Sequence, residues 1–159
     1  MSMTENPVTD VPTGPSTRAK VLGVCLAGAS GLAVLLDGLT SWDMSATFPL
    51  IVIPSTLLIG GLIFASLRKY PELDRFAARV LSGIVCGLLA TVAYDLVRPV
   101  IVAVFQFHTN PYKAMPLFGS RITGRPTDDG FAVAVGWLYH FWNGISFGVM
   151  FALVRPRGG

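Results

Sequence analysis

Apolar residues along this chain are gathered into blocks. Four stand out: Val21 to Leu39, Phe48 to Leu67, Val80 to about Val97, and Phe131 to Val154. The second and fourth contain no Asp, Glu, Lys or Arg, and the first reaches Leu36 before meeting Asp37. A membrane span needs about 20 predominantly apolar residues, and at about 1.5 Å of rise per residue each block can cross a hydrocarbon core of about 30 Å. The pattern predicts an all-α integral membrane protein. It is a single four-transmembrane-helix bundle over residues 21–157, with helices at about 21–39, 48–67, 80–98 and 131–154.

Before the first block, "MSMTENPVTDVPTGPSTRAK" has three prolines, several Ser and Thr and no apolar run, so residues 1–20 are expected to form a disordered tail. Arg18 and Lys20 precede an apolar run as in a signal peptide, but the polar region is long and includes Glu5 and Asp10. Only 13% of the chain is charged, against roughly 25% in a soluble domain. The net charge of +3 does not point to nucleic acid, because the basic residues sit at helix ends and form no stripe.

Those basic residues set an orientation instead, since cytoplasmic loops retain Lys and Arg. Arg18, Lys20, Arg68, Lys69, Arg75, Arg79, Arg155 and Arg157 lie at one end, and the "TSWDMSAT" connection at the other has none. Both termini are expected in the cytoplasm, with the chain multi-pass in the cell membrane. The connection at 108–130, expected as an external loop, is the exception, with Lys113, Arg121 and Arg125 beside Asp128 and Asp129. Its "PYKAMPLFG" is suited to lying on the membrane surface or capping the bundle, and "PTDDG" reads as a turn with an N-cap.

Helices in lipid associate through small residues that let backbones approach. Gly83-x-x-x-Gly87, Gly144-x-x-x-Gly148 and Ala132-x-x-x-Gly136 are such contacts, with Gly23, Ala27 and Gly31 in the first helix. They fit a compact bundle or a dimer equally. Pro49 and Pro54 predict a kink in the second helix, with Ser55 or Thr56 available to satisfy a freed carbonyl. Cys25 and Cys86 read as small buried packing residues.

Ionisable groups inside spans are costly and turn toward protein or water. Gly87, Thr91, Asp95 and Arg98 recur along one face of the third helix, with Tyr94 beside them, and Gly136, His140, Asn143 and Phe147 along one face of the fourth. By helical rise, and with the third helix ending near Pro99, His140 lies about level with Thr91 and one or two turns below Asp95, which is level with Asp37; if "VIVAVFQF" extends that helix to Phe107, Asp95 is near the bilayer centre instead. Asp37, Thr91, Tyr94, Asp95, Arg98, His140 and Asn143 are therefore candidates for a polar pocket in the outer half of the bilayer. The plainer alternative is structural: an Asp95–Arg98 ion pair, a satisfied neutral His140, and Trp137, Tyr139 and Trp142 as interfacial or packing aromatics. His108 and His140 are the candidate metal ligands, but no H-E-x-x-H or comparable spacing is present, and no cofactor is specified.

Three functions compete. The first is an accessory or ligand-binding subunit, whose partners are the bilayer and a homo-oligomer or larger complex. The second is a small oligomeric transporter using Asp95, Asp37 and His140 as a proton or cation relay. The third is a membrane-embedded enzyme with His140 as base, Asp95 as its partner and Arg98 as an anion clamp.

Overall fold

In the computed structural model, which describes residues 15–68, 71–108 and 110–155, every regular element is helical. The elements are α1 (Thr17–Leu39), α2 (Met44–Thr47), a π-helical turn (Phe48–Val52), α3 (Ile53–Arg68), α4 (Pro71–Val104), α5 (Ala114–Thr123) and α6 (Gly130–Val154). Three stretches are long and apolar enough to cross a membrane: Thr17–Leu39, Met44–Ser66 and Asp74–Val104.

Local chemistry explains most of the boundaries. Ser16 caps α1 through the Ala19 amide, so the last residues of the expected tail are helical, while residues 1–14 lie outside those described. α2, the π turn and α3 run on as one rod. The π turn precedes Pro54, where a wider turn eases the clash between the proline ring and the preceding carbonyls. Thr56, rather than Ser55, supplies a hydroxyl to the rod and donates it to the Val52 carbonyl at 2.7 Å. Asp129 caps α6 through the amides of Phe131 and Ala132. The Ala132 amide holds its carboxyl below the usual carboxylate range, and Arg125 adds to that effect.

α6 is the centre of the packing, with α4, α5 and α1 against it. Along the α4–α6 seam the backbones nearly touch. A Cβ on Gly83 would come within 2.6 Å of the Val149 Cα, and one on Gly87 within 2.7 Å of the Gly144 carbonyl oxygen. Gly148 lies equally close to the backbone of Gly83 and Gly87, and Gly144 faces the Thr91 hydroxyl. The small-residue motifs are thus used inside the chain. At the lower end, where α1 begins and α6 ends, Ala27, Ile59, Phe76, Val80, Val149 and Leu153 fill the space between α1, α3, α4 and α6. Large apolar side chains point outward: Leu35, Leu57, Leu89, Leu96, Leu138 and Phe151 are exposed, as are Cys25 and Cys86, which are not buried as expected.

Two expectations need correction at the upper end. Helix α4 does not stop at Pro99 but carries it internally and continues to Val104. The 108–130 connection is not simply a loop, because it contains α5, packed against α6. Gly119 lies against the backbone of Ala132 and Gly136, Met115 is buried at Gly136, and Phe118 meets Tyr139 edge-on. At the foot of α5, Tyr112 reaches Trp137, seven residues into α6 and so about 10 Å below its first residue. The chain therefore dips into the bundle and returns. The lack of a Cβ at Gly119 and Gly136 is what lets α5 lie so close.

Gly87→Leu is expected to destabilise the fold by about 3 kcal/mol or more, since backbone blocks every escape for the new side chain. Gly60→Leu, where nothing lies within 4 Å, should be nearly neutral. Unfolding of the two variants in detergent, monitored by circular dichroism, measures the contrast.

Candidate functional site

His140 and Asn143, three residues apart on α6, face different helices. Asn143 looks toward α1, where its Oδ1 accepts a hydrogen bond from the Ser30 hydroxyl at 3.0 Å. Tyr139, one turn above, donates its hydroxyl to the Ser30 carbonyl at 2.6 Å and is itself buried. These bonds fix α1 to α6. Tyr139 is a packing aromatic, as the structural alternative has it, and Ser30 is a partner that the sequence pattern did not single out.

His140 looks toward α4. Its Nε2 lies 2.9 and 3.1 Å from the two carboxylate oxygens of Asp95, bridging the seam one turn above the Thr91–Gly144 contact. Thr91 is not a partner of His140, because its hydroxyl donates to the Gly87 carbonyl within α4. His140 is thus level with Asp95 rather than a turn or two below it. The two helices run in opposite senses and each side chain leans toward its own helix N-terminus, so Asp95 reaches down and His140 up, which closes the difference in rise.

Arg98 does not pair with Asp95. Its guanidinium lies 5.4 Å from the centroid of the Tyr94 ring, and Tyr94 is exposed, so both belong to the outer surface of α4 and not to a pocket. Asp37 is also elsewhere. Its Oδ1 accepts the Met44 amide at the start of α2, and its Oδ2 takes Arg121 of α5 at 3.1 Å. It ties three elements together at the upper end and has no contact with Asp95 or His140 that would make a relay.

The dyad is bounded by aromatic rings. Trp137 and Phe141 stand 5.8 and 5.6 Å from the His140 ring, and Tyr112 lies 5.5 Å from Trp137. The side chains of His140 and Asp95 remain 17% and 12% exposed, so the pair is shielded without being sealed. With a carboxylate at Nε2, the neutral ring carries its proton there and leaves a lone pair on Nδ1. Nδ1 makes no hydrogen bond among the described residues. A ring held this way can accept a proton or a hydrogen bond at Nδ1. Among the described residues no three His, Cys, Asp or Glu side chains converge as metal ligands, and His108 is exposed beyond α4.

Asp95 is held by a second tie. Pro99 has no N–H, so the carbonyl four residues earlier, that of Asp95, loses its helical donor. The Tyr112 hydroxyl donates to that carbonyl at 2.9 Å. This explains how α4 continues through Pro99. Sequence alone offered one clue: an internal proline requires a donor from elsewhere. On the other side of α6, a groove of about 460 Å³ runs between α1 and α6 beneath Phe118, with Asn143 and Ser146 in its wall. The Ser146 hydroxyl is buried there without a hydrogen-bond partner among the described residues.

The chain matches no family model, no curated protein and no solved structure, so its geometry carries the functional reasoning.

Tyr112→Phe should cost about 1–3 kcal/mol by orphaning the Asp95 carbonyl. In a Pro99→Ala background, whose restored amide can donate to that carbonyl, the same change should cost much less. A double-mutant cycle of unfolding free energies reads the difference, and equal costs in both backgrounds would show that the hydrogen bond is not what matters.

Proposed function

We propose that this is a multi-pass protein of the cell membrane in which α1, the α2–α3 rod, α4 and α6 span the bilayer. Its termini are cytoplasmic, and α5 with its approach is a re-entrant hairpin from the outer side. The outward-facing Leu and Phe side chains support this, since a chain in water would bury them. So does the distribution of charge: of 12 Lys and Arg, eight lie at the lower end and four, Arg98, Lys113, Arg121 and Arg125, at the upper. α6 carries His140 and Asn143, but both side chains are bonded to neighbouring helices, Asn143 to α1 and His140 to α4.

Within that membrane protein, we infer a ligand-binding subunit whose site is the Asp95–His140 pair in the outer half of the bilayer. One observation carries this reading: His140 is oriented by a carboxylate at Nε2, its Nδ1 makes no hydrogen bond among the described residues, and its side chain is 17% exposed. The ligand is a lipid-soluble molecule with a proton or hydrogen bond to give to Nδ1, lying against the aromatic rings of Trp137 and Phe141 that flank His140. The relay reading is weaker. Asp37 is engaged with α2 and α5, and Phe76, Val80 and Leu153 close the lower half of the bundle.

Native mass spectrometry of the gently purified chain should find a stoichiometric small molecule that is lost in His140→Ala and reduced at least tenfold in Asp95→Asn. Both variants should keep the wild-type circular dichroism. A bare wild-type protein, or a ligand retained in both variants, would leave the dyad as a strut between α4 and α6.

A further inference from the structure

On the outer surface of the bundle, the α4–α6 seam has a trough of about 580 Å³. Its floor is Gly87 and Gly148, its flanks are Cys86 and Ala90 on α4 and Phe147 and Phe151 on α6, and Arg79 and Arg155 stand at its lower end. We propose that this trough is a seat for one anionic glycerophospholipid of the inner leaflet. Its acyl chain lies over the glycines and its phosphate is held by the two arginines. The inference rests on the membrane reading above and is independent of the dyad.

Three features favour that occupant. The first is length. From Arg79 to Ala90 is eleven residues, about 16 Å of helix, and one leaflet of a 30 Å core is about 15 Å deep. The chain-binding surface therefore begins at the charged end and stops one leaflet up, below the level of the dyad. The second is charge: neither Arg79 nor Arg155 has a carboxylate partner within 4 Å among the described residues.

The third is preorganisation. Arg79 Nη1 donates to the Ala152 and Arg155 carbonyls at 3.3 and 3.1 Å, capping α6 and holding the guanidinium at the mouth of the trough. Its remaining N–H groups are left for a planar, bidentate contact with phosphate. A lipid with net negative charge is favoured over a zwitterionic one, whose choline brings a cation toward the same arginines.

The test uses the full chain, first floated with liposomes and then titrated in detergent with phosphatidylglycerol or phosphatidylcholine of identical acyl chains, read by native mass spectrometry. Wild type should take up one phosphatidylglycerol at about tenfold lower concentration than phosphatidylcholine. Arg155→Gln should weaken that preference, and Arg79→Gln with Arg155→Gln should abolish it. Ala90→Trp, on an exposed position beside the seam, should reduce binding of both lipids by filling the trough. His140→Ala should change neither.

Equal uptake of the two lipids by wild type, or a preference untouched by the arginine changes, would overturn the lipid site while leaving the membrane reading intact. A chain that failed to float with liposomes would overturn both. Because Arg79 also caps α6, the Arg155 and Ala90 variants decide the matter should the double variant fail to fold.

Discussion

The separation of two backbones governs this molecule. Along Gly83, Gly87, Gly144 and Gly148, α4 and α6 approach until a single methyl group would not fit between them. Glycine lets the two backbones come close enough for many short contacts to add up along the seam. That closeness then dictates what happens one turn higher. With the seam shut, Asp95 and His140 are carried within hydrogen-bonding distance. A seam of larger side chains would hold the helices too far apart for a histidine and an aspartate to meet. The same missing side chains leave a hollow along the outside of the seam, which is why the trough lies over it.

The upper half follows from a second constraint, that backbone polar groups away from water need partners. Pro99 deprives the Asp95 carbonyl of its donor, and the chain answers by dipping far enough for Tyr112 to supply one. The descent puts α5 against α6, held at the other end by Arg121 on Asp37. Asp95 is thus bonded twice, by its side chain to α6 and by its carbonyl to the foot of the hairpin. Tyr112 thereby joins the approach to α5 to the same residue whose carboxylate meets His140.

How much of this was legible in the sequence depended on whether the determinant was local. Blocks of apolar residues placed three helices apolar enough to span, and the x-x-x spacing of glycines identified the seam, because both are properties of one helix at a time. The Asp129 cap was legible for the same reason. The end of α4 was not, since a proline normally stops a helix unless a distant group satisfies the freed carbonyl, and Tyr112 is 17 positions from Asp95 in the chain. Nor was the split of His140 from Asn143. Spacing puts both near one side of α6, but two residues three apart differ by about 60° around the axis, enough to meet different neighbours. The Asp95–Arg98 ion pair of the structural alternative is not formed, because the Arg98 guanidinium lies over the Tyr94 ring instead, a competition that charge spacing alone does not show.

Polar residues in α6 therefore do not amount to one pocket, and sorting them by what they have left to offer narrows the choice. Asn143 and Tyr139 hold α1 through Ser30, and the small Gly136 admits α5. Replacing them with apolar residues would loosen the fold without removing a reactive group. His140 is different. The glycines already fasten α4 to α6, so a charged or hydrogen-bonded pair is not needed there for attachment, and burying one is costly relative to a well-packed apolar contact. His140 is held by Asp95 on one nitrogen and makes no bond on the other among the described residues, and that distinguishes it from the polar groups of α6 whose bonds are spent on packing.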